Sequence, residues 1–308
     1  MLQVSFLRQN KEIAKQKLAI KHFANLDLVD TVIAMDDERK QLQASFDEMQ
    51  AKVNAASKEI GGLMAKGEKE QAENLKNEVA GLKTQLDPLK IKMAEVELQL
   101  QNTIVQFPNL PHDLVPKGKT PEENKLVKQG GETPTLYAGA QAHWDLISKY
   151  NLVDFETGSK ITGSGFPLYI GKGAKFQRAL VQYFLDFNIA AGYTEYLPPF
   201  MVNEASAFAT GQLPDKEGQM YYVNEDDLYL IPTAEVPLTN IYRDVILKED
   251  DFPIKMCGYT PCFRREAGSY GADVKGLNRV HQFDKIEIVQ VQHPEKSYET
   301  LTQMCNHI

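Results

Sequence analysis

The sequence predicts an α+β chain: a long antiparallel two-helix coiled-coil arm, a linker, and a second domain in which strands and helices alternate without a repeat. Three observations predict it. Apolar residues recur at spacings of three and four from Val32 to Leu63 and again from Leu75 to Leu100. Five prolines and three glycines crowd residues 107–135. Residues 259–289 read as two extended segments joined by a glycine-spaced polar loop centred near Tyr270.

In the arm, the first stripe is Val32, Met35, Leu42, Phe46, Met49, Val53, Ala56, Ile60 and Leu63, with Arg39 at one seam position. The second is Leu75, Val79, Leu82, Leu86, Leu89, Met93, Val96 and Leu100. Helix propensity falls around Gly61, Gly62 and Gly67, which places the reversal of the hairpin there. Each arm should reach roughly 50 Å at about 1.5 Å per residue, and Pro88 should kink or break the second one. Heptads alone fit a dimerisation coiled coil equally well. Charge separates the two ends: residues 30–51 carry Arg39 and Lys40 against six acids, whereas residues 52–92 carry eight lysines against six. A lysine-bearing tip on an acidic protein can meet phosphates without drawing nucleic acid to the whole surface.

Residues 1–107 therefore form the arm domain, 108–135 the linker and 136–308 the second domain. Within the last, a helix is expected from about residue 174 to 191, with Phe176, Leu180, Tyr183, Phe184 and Phe187 on one face and Gly192 as the stop. A strand follows at 193–197. Pro198 and Pro199 close it, which suits a sheet edge or an interface. In the strand pair, two-residue alternation puts Arg279, His281, Phe283, Lys285 and Glu287 on one face and Ile286 and Ile288 on the other, while Arg264 and Glu266 share a face before the loop. Such a hairpin offers charged groups and a ring to a flat polyanion.

Composition sets outer bounds. A chain of 308 residues with 43% hydrophobic content can build one large domain and a smaller one. A net charge of -8 and a pI near 5.4 exclude non-specific nucleic-acid binding by the whole surface. No run of about 18 apolar residues offers a membrane span, and Arg8 and Lys11 interrupt any secretory signal, so the expected location is the cytoplasm. Cys257, Cys262 and Cys305 do not make a disulfide framework. Residues 165–173 imitate a phosphate loop, but the spacing is one residue too long and Gly173 stands where a hydroxyl should hold magnesium. Cys257 and Cys262 with His281 lack a second ligand pair, so no metal site is expected. His112, His143 and His293 have no partner at ligand spacing and are read as surface residues.

What remains resembles one family. Residues 260–271, Thr-Pro-Cys-Phe-Arg-Arg-Glu-Ala-Gly-Ser-Tyr-Gly, followed by 276–287, Gly-Leu-Asn-Arg-Val-His-Gln-Phe-Asp-Lys-Ile-Glu, resemble motif 2 of the seryl-tRNA synthetases. Residues 210–214 and 230–240 resemble that family's upstream blocks in the same order, and the heptad hairpin is similar to its tRNA-binding arm. The resemblance implies a class II fold, an antiparallel sheet flanked by helices, assembled as a homodimer through the helix near Ala174 and the strand end at Pro198 and Pro199. For the ATP site it implies Arg264 on the α-phosphate and the substrate carboxylate, Arg265 beside it, Glu266 on the adenine amino group, Phe283 stacked on adenine, and Arg279 at the far end of the triphosphate. For L-serine it implies Thr233, Ala234 and Glu235 as one wall of the pocket and Glu287 on the ammonium group. ATP with Mg²⁺, L-serine and tRNA(Ser) are the implied substrates and partners, in formation of seryl-adenylate and its transfer to tRNA.

One block of the family pattern has no match. A third motif, a glycine-rich strand and helix with an arginine, should follow motif 2; instead a helix after Pro294 runs to Ile308 without a capping glycine. The expectation is a chain cut short, with weak or absent aminoacylation. Two other classes share parts of the pattern. An amino acid:carrier-protein ligase generally lacks the long arm, and a non-catalytic coiled-coil interaction protein has no need of Arg264, Glu266, Phe283 and Glu287 together.

Overall fold

Two units, Met1–Glu132 and Thr133–Ile308, divide the chain. The computed structural model describes residues 2–267 and 275–308, so Tyr270 and the centre of the predicted loop lie outside the described residues.

The first unit holds α1 (Val4–Gln9), α2 (Lys11–Ile20), α3 (Leu28–Lys66) and α4 (Lys69–Ile104). The two short helices escape the heptad analysis because each is too brief to show a period. Their Leu7, Ala14 and Leu18 are fully buried against Val29, Val32, Ile104 and Phe107, which makes the foot of the arm a small core. Farther along, Val53, Val79 and Leu86 close the seam with Phe46, Met49, Ala56, Ile60 and Leu82. Arg39 leaves its seam position to pair with Asp36 at 3.0 Å. At lengths of 39 and 36 residues the helices reach about 58 and about 54 Å.

The reversal falls at Gly67, inside the stretch expected for it, and both helices continue across the other weak helix formers. Helix α3 continues through Gly61 and Gly62 and stops only at Gly67, whose φ of 80° lets its own N–H and that of Glu68 close on the carbonyls of Met64 and Leu63. Two helical glycines cost about 1 kcal/mol each, and a Cβ on either would meet nothing within 4 Å, so neither is required by a close contact. Helix α4 likewise runs unbroken across Pro88. Pro88 is exposed, so the ring and the lost hydrogen bond face water rather than the seam. After Ile104 the only regular element up to Glu132 is a single 3-10 turn, Pro121–Glu123, as the prolines require.

The second unit contains α5 (His143–Tyr150), β1 (Val153–Asp154), α6 (Phe155–Ile161), β2 (Leu168–Tyr169), α7 (Gly171–Ala190), β3 (Thr194–Glu195), β4 (Met201–Asn203), α8 (Glu204–Ala209), β5 (Tyr221–Val223), β6 (Leu228–Leu230), α9 (Glu235–Asn240), β7 (Ile254–Phe263), β8 (Gln282–Val291) and α10 (Ser297–His307). Its main sheet has the order β3-β7-β8, and a second has β4-β6-β5. The ten-residue β7–β8 pair is antiparallel from Ile254 opposite Val291 to Phe263 opposite Gln282. Strand β3 lies at the edge, as its prolines predict, but pairs with β7 in parallel, the one departure from antiparallel order among the described strands.

Helix α7 begins at Gly171, a little before the expected start. Gly173 serves packing, because a Cβ there would fall 1.9 Å from the Leu152 carbonyl oxygen. The helix turns Val181 and Leu185 onto the sheet, against Tyr259, Ile286 and Ile288. The aromatic face points the other way: Phe176 is 62% exposed and Tyr183 61%, with Phe184 and Phe187 nearly half exposed. Among the described residues, no helix is long and apolar enough to cross a membrane.

Candidate functional site

The polar face of the long strand pair is built by register. Phe283, Lys285 and Glu287 share one side of β8 and stand opposite Cys262, Thr260 and Gly258 of β7. Thr260 and Cys262 are fully buried beside them, and burial pushes the Cys262 thiol up from its ordinary pKa. Gly258 has to be small, since a Cβ there would meet the Tyr196 carbonyl oxygen at 2.8 Å and Leu238 at 3.3 Å. Ile286 and Ile288 occupy the opposite side, as alternation predicts.

The strands end earlier than the charge pattern suggested. Arg264, Arg265, Glu266 and Arg279 lie beyond Phe263 and before Gln282, on the two stems of the loop rather than on strand faces. The ladder gives way to local bonds: Arg264 N–H donates to the His281 carbonyl at 2.9 Å, and Nδ1 of His281 lies 2.9 Å from the Arg264 carbonyl. Glu266 adopts a left-handed conformation with φ 47°, which turns the outgoing stem sharply.

Three groupings result. Arg264 stacks on Phe283, its guanidinium carbon 5.1 Å from the ring centroid, while its Nε donates to the Pro232 carbonyl at 3.3 Å. Thr233 Oγ1 donates to Glu287 Oε2 at 2.8 Å, and Lys285 Nζ meets the same oxygen at 2.7 Å. The Thr233 hydroxyl also accepts from Glu235 N–H at 3.2 Å, so its single proton is committed to the carboxylate. Third, Arg279 pairs with Glu266 at 3.6 Å across the loop stems. These last two border a hollow of about 400 Å³ with Phe155, Ser159, Ser164 and His281.

Not every expected residue joins. Ala234 is fully buried at the start of α9, whereas the Glu235 side chain is exposed and only its backbone enters the Thr233 network. Arg265 is exposed; its N–H bonds the Gln219 carbonyl at 2.9 Å and its guanidinium lies 5.8 Å over Tyr221, away from Phe283. Lys285 received no role from the sequence, although alternation had placed it between Phe283 and Glu287. Two histidines read as surface residues are partly buried: Nε2 of His143 accepts from Leu277 N–H at 3.0 Å, and the His293 ring lies 4.5 Å from Phe252. Cys257 and Cys262 are both buried in β7, five residues apart and so on opposite faces. Among the described residues, no three His, Cys, Asp or Glu side chains gather where they could hold a metal ion.

Comparison with known proteins finds relatives along the whole chain. Residues 1–111 match the seryl-tRNA synthetase N-terminal domain, and residues 220–308 match the class II core domain of tRNA synthetases of the G, H, P, S and T group. A serine–tRNA ligase of Salinibacter ruber is 45% identical over 98% of this chain and 70% of its own length, and one of a Hydrogenobaculum species is 43% identical over 100% and 72%. Among solved structures, a seryl-tRNA synthetase of Pyrococcus horikoshii complexed with ATP superposes with a TM-score of 0.84 at 29% identity, covering 99% of this chain and 73% of that one. A cytoplasmic serine–tRNA ligase of Naegleria fowleri in complex with AMP gives 0.80 at 26%, covering 100% and 71%. With both units matched and relatives above 40% identity aligned along its whole length, the chain belongs to the seryl-tRNA synthetase family.

Proposed function

We propose that the polar face of β7–β8 holds ATP and L-serine next to one another, so that this serine–tRNA ligase forms seryl-adenylate there and passes the seryl group to tRNA(Ser). The reading rests on one observation above all. Phe283, on which Arg264 stacks from the loop stem, and Glu287, bonded to Thr233 and Lys285, share one side of β8.

The chemistry asks for charge placement more than for proton transfer. The serine carboxylate is ionised at neutral pH and attacks the α-phosphorus directly, releasing pyrophosphate, so the first step requires no general base. Arg264 has its Nε anchored on the Pro232 carbonyl, which leaves its terminal nitrogens for the α-phosphate and the carboxylate as charge builds there. Phe283 offers its ring to adenine beside that guanidinium. Glu287, oriented by Thr233, takes the serine ammonium in the wall formed with Ala234 and Glu235. Glu266 serves the adenine amino group and Arg279 the far end of the triphosphate. Those two side chains touch each other in this structure, so bound ATP would separate them. The Mg²⁺ expected with ATP would enter with its phosphates, and no step depends on it.

For tRNA, the lysines at residues 52–92 of the hairpin supply phosphate contacts. The exposed aromatic face of α7 fits a second copy of the chain in a homodimer. The deciding experiment is serine-dependent exchange of pyrophosphate into ATP, with glycine, alanine and threonine as controls. Exchange supported by serine alone, even at a low rate, is the expected result; a chain that neither exchanges nor binds ATP and serine would remove the assignment of this face.

A further inference from the structure

We propose that His143 is a positioning residue for Arg279, an inference that rests on the ATP-site reading above. The returning stem of the loop is tied at two places. At one, Nε2 of His143, the first residue of α5, accepts from Leu277 N–H at 3.0 Å. At the other, His281 N–H donates to the Gly165 carbonyl at 2.8 Å, and the His281 ring lies within hydrogen-bond distance of the Arg264 carbonyl. Only Asn278, Arg279 and Val280 lie between these ties, and Val280 is itself buried. Arg279 is thus the middle residue of a span pinned at both ends, and its backbone has little freedom even though its side chain is exposed.

The first tie is a built contact. The imidazole approaches Gly276 so closely that a Cβ there would sit 2.3 Å from Nε2, and Gly276 has a φ of 68°. Only glycine meets both demands. The neighbouring Trp144 packs edge-on to His143 at 4.9 Å and receives Lys275 Nζ over its ring at 4.7 Å, so the consecutive pair grips the consecutive residues Lys275, Gly276 and Leu277. An acceptor at Nε2 requires the proton on Nδ1, which makes the neutral imidazole the competent form. The residue need not touch nucleotide. It sets where the Arg279 guanidinium starts, and hence how well that group meets the far end of a triphosphate.

The test compares ATP with AMP, which lacks the part of the ligand that Arg279 would meet. By titration calorimetry on the full chain, His143→Phe keeps the ring and removes the acceptor. It should weaken ATP about five- to tenfold while changing AMP less than about twofold, as expected for loss of one hydrogen bond. His143→Gln, with an amide oxygen as acceptor, should recover most of the loss. Gly276→Ala, which drives the imidazole off by a route that leaves His143 in place, should copy His143→Phe, and it keeps the question open to test if that variant misfolds. Arg279→Ala is the reference. If it weakens ATP selectively and neither His143→Phe nor Gly276→Ala does, the positioning role is wrong and the ATP reading stands. If wild-type protein binds neither nucleotide, both fall.

Discussion

The Arg264 guanidinium carbon lies 5.1 Å from the Phe283 ring centroid, and Nε of the same side chain is tied to the Pro232 carbonyl. Backbone continuity adds to this, because Phe263 N–H donates to the Ile231 carbonyl at 2.9 Å and brings the residues just before Thr233 alongside the end of β7. Arg264→Ala should lower the rate of pyrophosphate exchange by about 10²- to 10³-fold, the usual cost of removing a preorganised charge donor. Arg264→Lys should recover little, since an ammonium cannot hold the carbonyl and stack on the ring at once. Recovery by lysine to within about threefold of wild type would argue against that dual use.

Glu287 receives both Thr233 Oγ1 and Lys285 Nζ on Oε2, which among the described residues leaves Oε1 for a further donor. Glu287→Gln keeps the shape and removes the charge. The KM for serine should rise about 10- to 100-fold, the range for a charge-assisted hydrogen bond, while the KM for ATP stays within about twofold. Thr233→Val should act in the same direction and more weakly. A variant whose ATP and serine constants rise together would show that Glu287 supports the sheet rather than the amino acid.

In the arm, Lys90 Nζ lies 5.8 Å over the Phe46 ring, which marks two facing positions where the hairpin can be shortened. Removing residues 47–89 and bridging 46 to 90 with a short glycine turn keeps the buried foot and discards most of the lysines. Filter binding should show loss of tRNA association, with serine-dependent exchange unchanged. Equal tRNA affinity before and after would deny the arm its assigned contact.

The exposed face of α7 makes the homodimer testable. Phe184 and Phe187 each present nearly half of their surface to solvent. Burying such a ring contributes about 1.5–3 kcal/mol, so Phe184→Asp with Phe187→Asp should raise the dimer dissociation constant at least about 100-fold. Sedimentation velocity reads this directly. A wild-type chain that sediments as a monomer at tens of micromolar would dispose of the proposal.

Asp36, buried at the foot of the arm, faces Arg8 at 2.8 Å, Arg39 at 3.0 Å and Lys40 at 2.7 Å. Burial alone would raise its carboxyl, but hydrogen bonds from Lys40, Arg8 and Arg39 outweigh it and hold the pKa at about 2, below the ordinary 3.8. A depressed carboxylate stabilises the fold above its unfolded pKa. About 2 kcal/mol should therefore be present above pH 4 and disappear as pH falls from about 4 to about 2. Asp36→Asn should erase that step and destabilise the arm by about 3 kcal/mol at neutral pH. Helical circular dichroism during urea denaturation follows this unit, while Trp144 fluorescence reports the other.

Much of the arm was legible because a coiled seam writes its contacts into local spacing: Val53, Val79 and Leu86 meet where the three-and-four pattern requires. Single residues guide less well than the stripe. Gly61, Gly62 and Pro88 each lower helix propensity, yet a long packed helix tolerates them. In the second unit, alternation sorted Phe283, Lys285 and Glu287 from Ile286 and Ile288 correctly, but it carried both strands too far toward the loop. It therefore missed that Arg264, Glu266 and Arg279 sit on loop stems. Neither period nor composition marked His143 or Gly276, which meet across more than 130 positions of sequence.

By itself the sequence determined the helical arm, the break after it, the polar side of β8 and the residue types of the family's second motif, because each depends on neighbours within a few positions. Only the tertiary structure decided which charges meet: Glu287 with Thr233 and Lys285, Arg279 with Glu266, Arg264 with Phe283, and the loop stem with His143. Hydrogen bonds and ion pairs form over about 3 to 4 Å, and that scale is reached between distant segments only after the chain has folded.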